Sequence, residues 1–131
     1  MKSFSPLFTF RKSHSSLTNV LTDHKLASLG DAYVNLVYSL ALSAKMGEPS
    51  GKKVKGTVLA EALRKAGLRQ HMPSRMTSHK LADAAEALTV YAWLNDCITL
   101  EQSVTILLKS DDLINGLTQL LMKAKESVRL S

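Results

Sequence analysis

Two stretches of this chain are apolar on nearly every side of a helix, yet each carries acids. Read as a helix, residues 23–43 present Leu26, Leu29, Tyr33, Leu36, Val37 and Leu40 on one face. At 100° per residue the opposite side carries Ala27, Val34, Tyr38 and Ala41, with Asp31 among them. Over 77–94, Leu81, Ala84, Ala85, Ala87, Leu88, Val90, Tyr91, Ala92, Trp93 and Leu94 surround the axis. Asp83 and Glu86 stand three residues apart in that stretch, so their carboxylates lie about 60° from each other on one face. A helix that is apolar all round must be enclosed by other elements. The pattern therefore predicts an all-helical domain with two interior helices, and it sets Asp31 close to the interior.

The remaining sequence supplies the enclosing elements. Thr22 or Asp23 caps the first interior helix, which ends near Gly47 with Pro49 beyond it. GEPSGKKVKG, residues 47–56, reads as a polar, flexible linker. VLAEALRKAGL is an amphipathic helix stopped by Gly67, and RQHMPSRMTS is irregular around Pro73. Thr77 or Ser78 caps the second interior helix, Thr99 caps a helix through TLEQSVTILLKS, and Ser110 caps the last, DDLINGLTQLLMKAKES. Five to six helices result, in one domain spanning 1–131 with 1–16 as a loosely ordered arm. Aromatic residues make up only 5% of the chain, and the abundant Leu and Ala lose little freedom on a helix.

Several function classes are excluded or disfavoured. Cys97 is the single cysteine, so neither an intrachain disulfide nor a thiolate metal site can form from this chain alone. His14, His24, His71 and His79 show no ligand-like pairing at helical spacing and read as scattered surface residues. No apolar run approaches the roughly 20 residues that a membrane span needs. The start, MKSFSPLFTFRKSHSSL, lacks the continuous apolar core of a secretory leader, and a cytoplasmic protein is the expectation.

Charge is unevenly placed. Between Ala41 and Lys80 lie nine basic residues against Glu48 and Glu61, a net +7 in a chain whose total is +6. Concentrated positive charge favours polyanions such as nucleic acid, independently of sequence. A solvated basic face without a partner accounts for the charge equally well.

The acids sharpen the choice. A buried carboxylate costs several kcal/mol unless positive charge compensates it. Lys80, three residues before Asp83, offers a local ion pair there. For Asp31 the nearest cation on its own helix is Lys25, farther toward the start. A shared hard cation accounts for all three acids at once, since Mg²⁺ takes oxygen ligands, keeps several waters and needs few carboxylates. Hydroxyl partners or charge pairs are the competing explanation.

The run LASLGDAYVNLV, residues 26–37, resembles the signature of the ribonuclease III family, in which an L-G-D-A core opens the catalytic helix. LADAAEALTVYAWL, residues 81–94, resembles its second acidic motif, D-x-x-E-A-L followed by small and apolar residues. The intervening KVKGTVLAEALRKAGL sits where that family has a basic and apolar helix, and order and spacing agree over roughly 22–98. Gly30 matches a glycine that permits close helix approach. One departure stands out: larger members carry a glutamate four residues before the motif aspartate, where this chain has Ala27, and an acid three residues further back, where it has His24. Compact members without an attached RNA-binding domain tolerate a reduced acidic set.

The resemblance implies a compact ribonuclease III-like helical fold and an endoribonuclease that hydrolyses double-stranded or structured RNA. It assigns Asp31, Asp83 and Glu86 as catalytic, metal-binding acids for Mg²⁺, or Mn²⁺ in its place. Lys52, Lys53, Lys55, Arg64, Arg69 and Arg75 are the candidates for RNA backbone contacts. It also implies a twofold homodimer built on the signature helix through Leu29, Tyr33, Leu36 and Leu40, and no membrane association. The competing readings are a catalytically weak or inactive RNA-binding scaffold of the same fold, which Ala27 favours, and a helical protein-interaction module, which leaves both acidic motifs accidental.

Overall fold

A computed structural model describes residues 6–10 and 14–129. Six α-helices occur among them: α1 (Leu17–Leu21), α2 (His24–Met46), α3 (Gly56–Lys65), α4 (Ser78–Leu94), α5 (Leu100–Lys109) and α6 (Leu113–Arg129), with no strand. Short 3-10 turns cover Pro6–Phe8 and Arg69–His71. No helix among the described residues is long and apolar enough to cross a membrane.

The helix starts follow local chemistry. Asp23 caps α2, its Oδ1 accepting from the Lys25 and Leu26 amides. Thr77 caps α4 through the Lys80 amide. Thr99 and Gln102 form a reciprocal capping box on α5. The last helix departs from expectation, because Asp112 rather than Ser110 caps it, accepting from the Asn115 amide at 2.8 Å. Ser110 instead closes α5, donating its hydroxyl to the Ile106 carbonyl. Gly47 ends α2 at φ 78°, a left-handed conformation that glycine adopts without penalty.

α4 is the central element, enclosed as its sequence requires. Leu81, Ala84, Ala85, Leu88, Val90, Tyr91 and Ala92 are all at most 1% exposed. It packs most extensively against α2 and α3, then against α6 and α1, while α5 joins α2 to α6. Gly30 is where α2 meets α4, and a Cβ there would collide with the Glu86 carbonyl oxygen.

Enclosure of α2 is only partial, which corrects the sequence reading. Ala27, Gly30, Tyr33, Val34, Val37 and Ala41 are buried, but Leu29, Leu36 and Leu40 remain 38%, 48% and 38% exposed. Asp31 is exposed rather than interior, because its side of α2 borders an open cleft instead of a neighbouring helix.

Three segments also differ from the sequence expectation. α1 occupies residues to which the sequence reading assigns no helix, five residues being too few to display a period. Of the arm, residues 1–5 and 11–13 lie outside the described residues. Two of its other residues dock: Phe8 packs on Trp93 with ring centres 5.6 Å apart, and the His14 ring stacks on Tyr91. His14 also donates its backbone N–H to the Tyr91 hydroxyl and pairs through Nε2 with Asp23 at 2.9 Å. Nor is the 47–55 segment a free linker, since side chains of α2 bind its backbone.

Candidate acidic cleft

Where α2 crosses α4, the close approach at Gly30 brings the exposed carboxylate of Asp31 against the buried carboxyl of Glu86. Asp83, one turn before Glu86 on α4, joins them in one open cleft that also holds Lys53, His24 and His79. The two stretches singled out by their acids therefore present all three to a single site. The cleft measures about 460 Å³, where ~10–15 Å³ on the same measure suffices for one water.

Charge in the cleft is unbalanced. Burial pushes the Glu86 carboxyl up to about 8, helped by a hydrogen bond to Asp31 and by repulsion from Asp31 and Asp83, while Lys53 opposes the rise. Three carboxyl groups thus share one space in which a proton on Glu86 relieves their repulsion. The other partners are polar rather than fully ionic. Asn35 donates through Nδ2 to Asp31 Oδ1 at 3.0 Å, and His79 Nε2 lies 3.9 Å from Asp83 Oδ2.

Among the described residues no group of three or more His, Cys, Asp or Glu side chains is arranged to hold a metal ion. The carboxylates are adjacent without closing around a common point. Their chemistry is nonetheless that of a hard-cation site: oxygen donors only, net negative charge, and open access for water. A divalent ion would replace the proton on Glu86 as the compensating charge, so the residues present fit such an ion.

The basic candidates divide into two places. Lys53 lines the acidic cleft, with Lys52 and Lys55 exposed beside it in the same segment. Arg64 and Arg69 instead line a separate open cleft with Gly67, Gln70, Met72 and Ser74. Arg64 pairs there with Glu61 at 3.5 Å, and Arg69 donates to the Pro73 carbonyl at 3.0 Å. Arg75 is exposed in the loop before α4, at a positive φ of 62°. None of these three arginines lines the acidic cleft.

Sequence reasoning missed three contributors. His24 and His79, expected to be scattered surface histidines, border the same cleft. Asn35 was not singled out, although it lies one turn from Asp31 and so on its face. Ala27 is buried, and a small cavity of about 70 Å³ lies beside it between Asp23, Lys80 and Asp83.

The sequence model of a protein family described as Ribonuclease III matches residues 24–129, about four-fifths of the chain. No curated protein matches it.

Proposed function

The chain belongs to the ribonuclease III family, a family of RNA-cleaving endonucleases, and from that premise we propose that it is a divalent-metal-dependent endoribonuclease acting on double-stranded or structured RNA. The observation that carries this reading is the meeting of Asp31, Asp83 and Glu86 in one open cleft, where burial and mutual repulsion hold a proton on Glu86 up to about 8.

The family is generally dependent on divalent metal. Asp31, Asp83 and Glu86 are the residues that would hold Mg²⁺ or Mn²⁺. When bound, such an ion supplies an activated water and neutralises negative charge on the attacked phosphate. The chain's own residues do the remainder. Glu86 and Asp83 are fixed by the rigid, enclosed α4, and Gly30 lets Asp31 reach them from α2. Lys53 sets a positive charge in the cleft, offsetting the carboxylates that an RNA phosphate would approach. Lys52 and Lys55 extend that charge along the same segment as backbone contacts, read through phosphate and A-form shape rather than base sequence. Arg64 and Arg69 line a second basic area for a more distant part of the substrate, and Arg75 adds an exposed charge in the loop before α4.

Duplex cleavage calls for one acidic cluster per strand, which a twofold dimer provides. The stripe of Leu29, Leu36 and Leu40 left exposed on α2 supports a second copy as its cover. A scaffold that binds RNA without cutting it is the second reading, favoured by Ala27 and the small cavity beside it. Incubating the protein with duplex RNA in Mg²⁺, and in parallel with a chelator, separates the two. Cleavage that the chelator abolishes supports the nuclease, whereas retained binding without cleavage supports the scaffold.

A further inference from the structure

Asp31, Asn35, Ser39 and Ser43 recur every four residues along α2, one turn apart on a single face. The last three hold the backbone of the segment between α2 and α3. Ser43 Oγ accepts from the Ser50 amide at 2.8 Å. Ser39 Oγ accepts from the Lys52 amide at 2.9 Å and donates to the Lys52 carbonyl. Asn35 Oδ1 accepts from the Val54 amide at 2.8 Å. Alternate residues of the segment thus meet successive turns of the helix, running antiparallel to it. The match is geometric: two extended residues advance ~6.6 Å and four helical residues ~6 Å, so three rungs stay in register.

The final rung differs from the others. While Oδ1 of Asn35 holds Val54, its Nδ2 donates to Asp31 Oδ1 at 3.0 Å. Asn35 is therefore the joint between the acidic cluster and the lysine segment, whose Lys53 precedes Val54 and offsets the charge of Glu86. A serine suffices at 39 and 43, where one hydroxyl meets the segment at a single residue. At 35 the side chain must meet a carboxylate on its own helix and an amide of the segment, which a carboxamide does from two separate atoms.

We propose that Asn35 is a positioning residue for phosphodiester cleavage, fixing Asp31 and the Lys52–Lys55 segment in one register so that the scissile phosphate and its flanking backbone are met together. The inference rests on the nuclease reading above and adds to it a residue and a device.

The test compares Asn35→Ala, Asn35→Asp and Ser39→Ala with the parent protein by three readouts. These are amide hydrogen exchange at Lys52 and Val54 in the metal-free chain, Mn²⁺ affinity from its electron paramagnetic resonance signal, and kcat and KM on duplex RNA. Asn35→Ala speeds Val54 exchange and lowers both Mn²⁺ affinity and kcat by about 10–100-fold, the scale on which partners that orient metal-binding groups act. Asn35→Asp keeps Val54 protected, because a carboxylate still accepts, yet lowers kcat because Asp31 loses its donor. Ser39→Ala speeds Lys52 exchange and raises KM by a larger factor than it lowers kcat. Unchanged kcat and Mn²⁺ affinity in Asn35→Ala, or a Val54 amide unprotected in Asn35→Asp, overturns the assignment. If the parent protein neither binds Mn²⁺ nor cuts RNA, the nuclease reading fails and cleavage positioning fails with it. The exchange data then still separate the joint itself, which unchanged Val54 exchange in Asn35→Ala refutes on its own.

Discussion

Glu86 sits where burial first and its acidic neighbours second oppose its own ionisation, and that conflict has a measurable signature. The carboxyl titrates near 4.5 when unfolded and about 8 when folded. Between these values the folded state binds the extra proton, so stability falls as pH rises through the window. Below it both states are protonated and no penalty exists; above it both are ionised and the penalty is complete. Thermal melts of the metal-free protein across this range should show that decline, and Glu86→Gln should flatten it. Mg²⁺ added above pH 8 should raise the melting temperature of the parent protein and not that of the variant. The same substitution keeps size and removes charge, so duplex cleavage should fall by about a hundredfold or more, as expected when a group acting in the reaction is lost. Parent-like turnover in Glu86→Gln at saturating Mg²⁺ would remove Glu86 from the catalytic set.

At the scale of elements, the α2–α4 crossing makes the site. Its closeness depends on Gly30, where an added methyl group meets the Glu86 carbonyl, a backbone atom that cannot rotate away. Gly30→Ala should force the helices apart at a cost of ~1–3 kcal/mol, the usual range for overpacking a well-packed site. Activity should fall beyond what the stability loss explains, because Asp31 retreats from Glu86. Gly116 gives the contrast: its added Cβ would meet the Leu107 Cδ2 atom at 2.9 Å, the movable end of a side chain, and press on Ser110 only from 3.1 Å outward. Urea unfolding of Gly30→Ala and Gly116→Ala compares the two directly, and equal losses would mean that the crossing tolerates separation.

For the whole molecule, two features of the surface make predictions. Leu29, Leu36 and Leu40 form an apolar stripe along α2, a helix that its own domain only partly encloses. Sedimentation at micromolar concentration should find a dimer, and Leu36→Glu should find a monomer, since a charge in that stripe opposes burial. A parent protein that sediments as a monomer and still cuts both strands would refute the twofold arrangement. The second feature is the net +7 between Ala41 and Lys80. Duplex affinity should drop steeply with salt as phosphate contacts release counterions, and vary little among sequences of equal structure. A filter-binding titration at several salt concentrations measures both.

Local chemistry let the sequence by itself determine much of this protein. Asp23, Thr77 and Thr99 cap helices through amides two or three residues away, so those starts are legible without any partner. Apolar residues on all sides of 77–94 likewise require an enclosed helix, and the spacing of Asp83 and Glu86 sets them on one face of it. Even the last helix start was a contest between near neighbours, Ser110 and Asp112, that only the finished turn resolved. Exposure was different in kind. The apolar pattern of 23–43 states that the helix should be covered, but not by which neighbour; packing left Asp31 at an open cleft and the leucine stripe at the surface. The same limit hid the order in 47–55. The period of four from Asp31 to Ser43 and the period of two from Ser50 to Val54 are both written in the chain, yet neither has meaning until tertiary structure lays one along the other. Hydrogen bonds between segments depend on distance in space, which sequence separation does not encode.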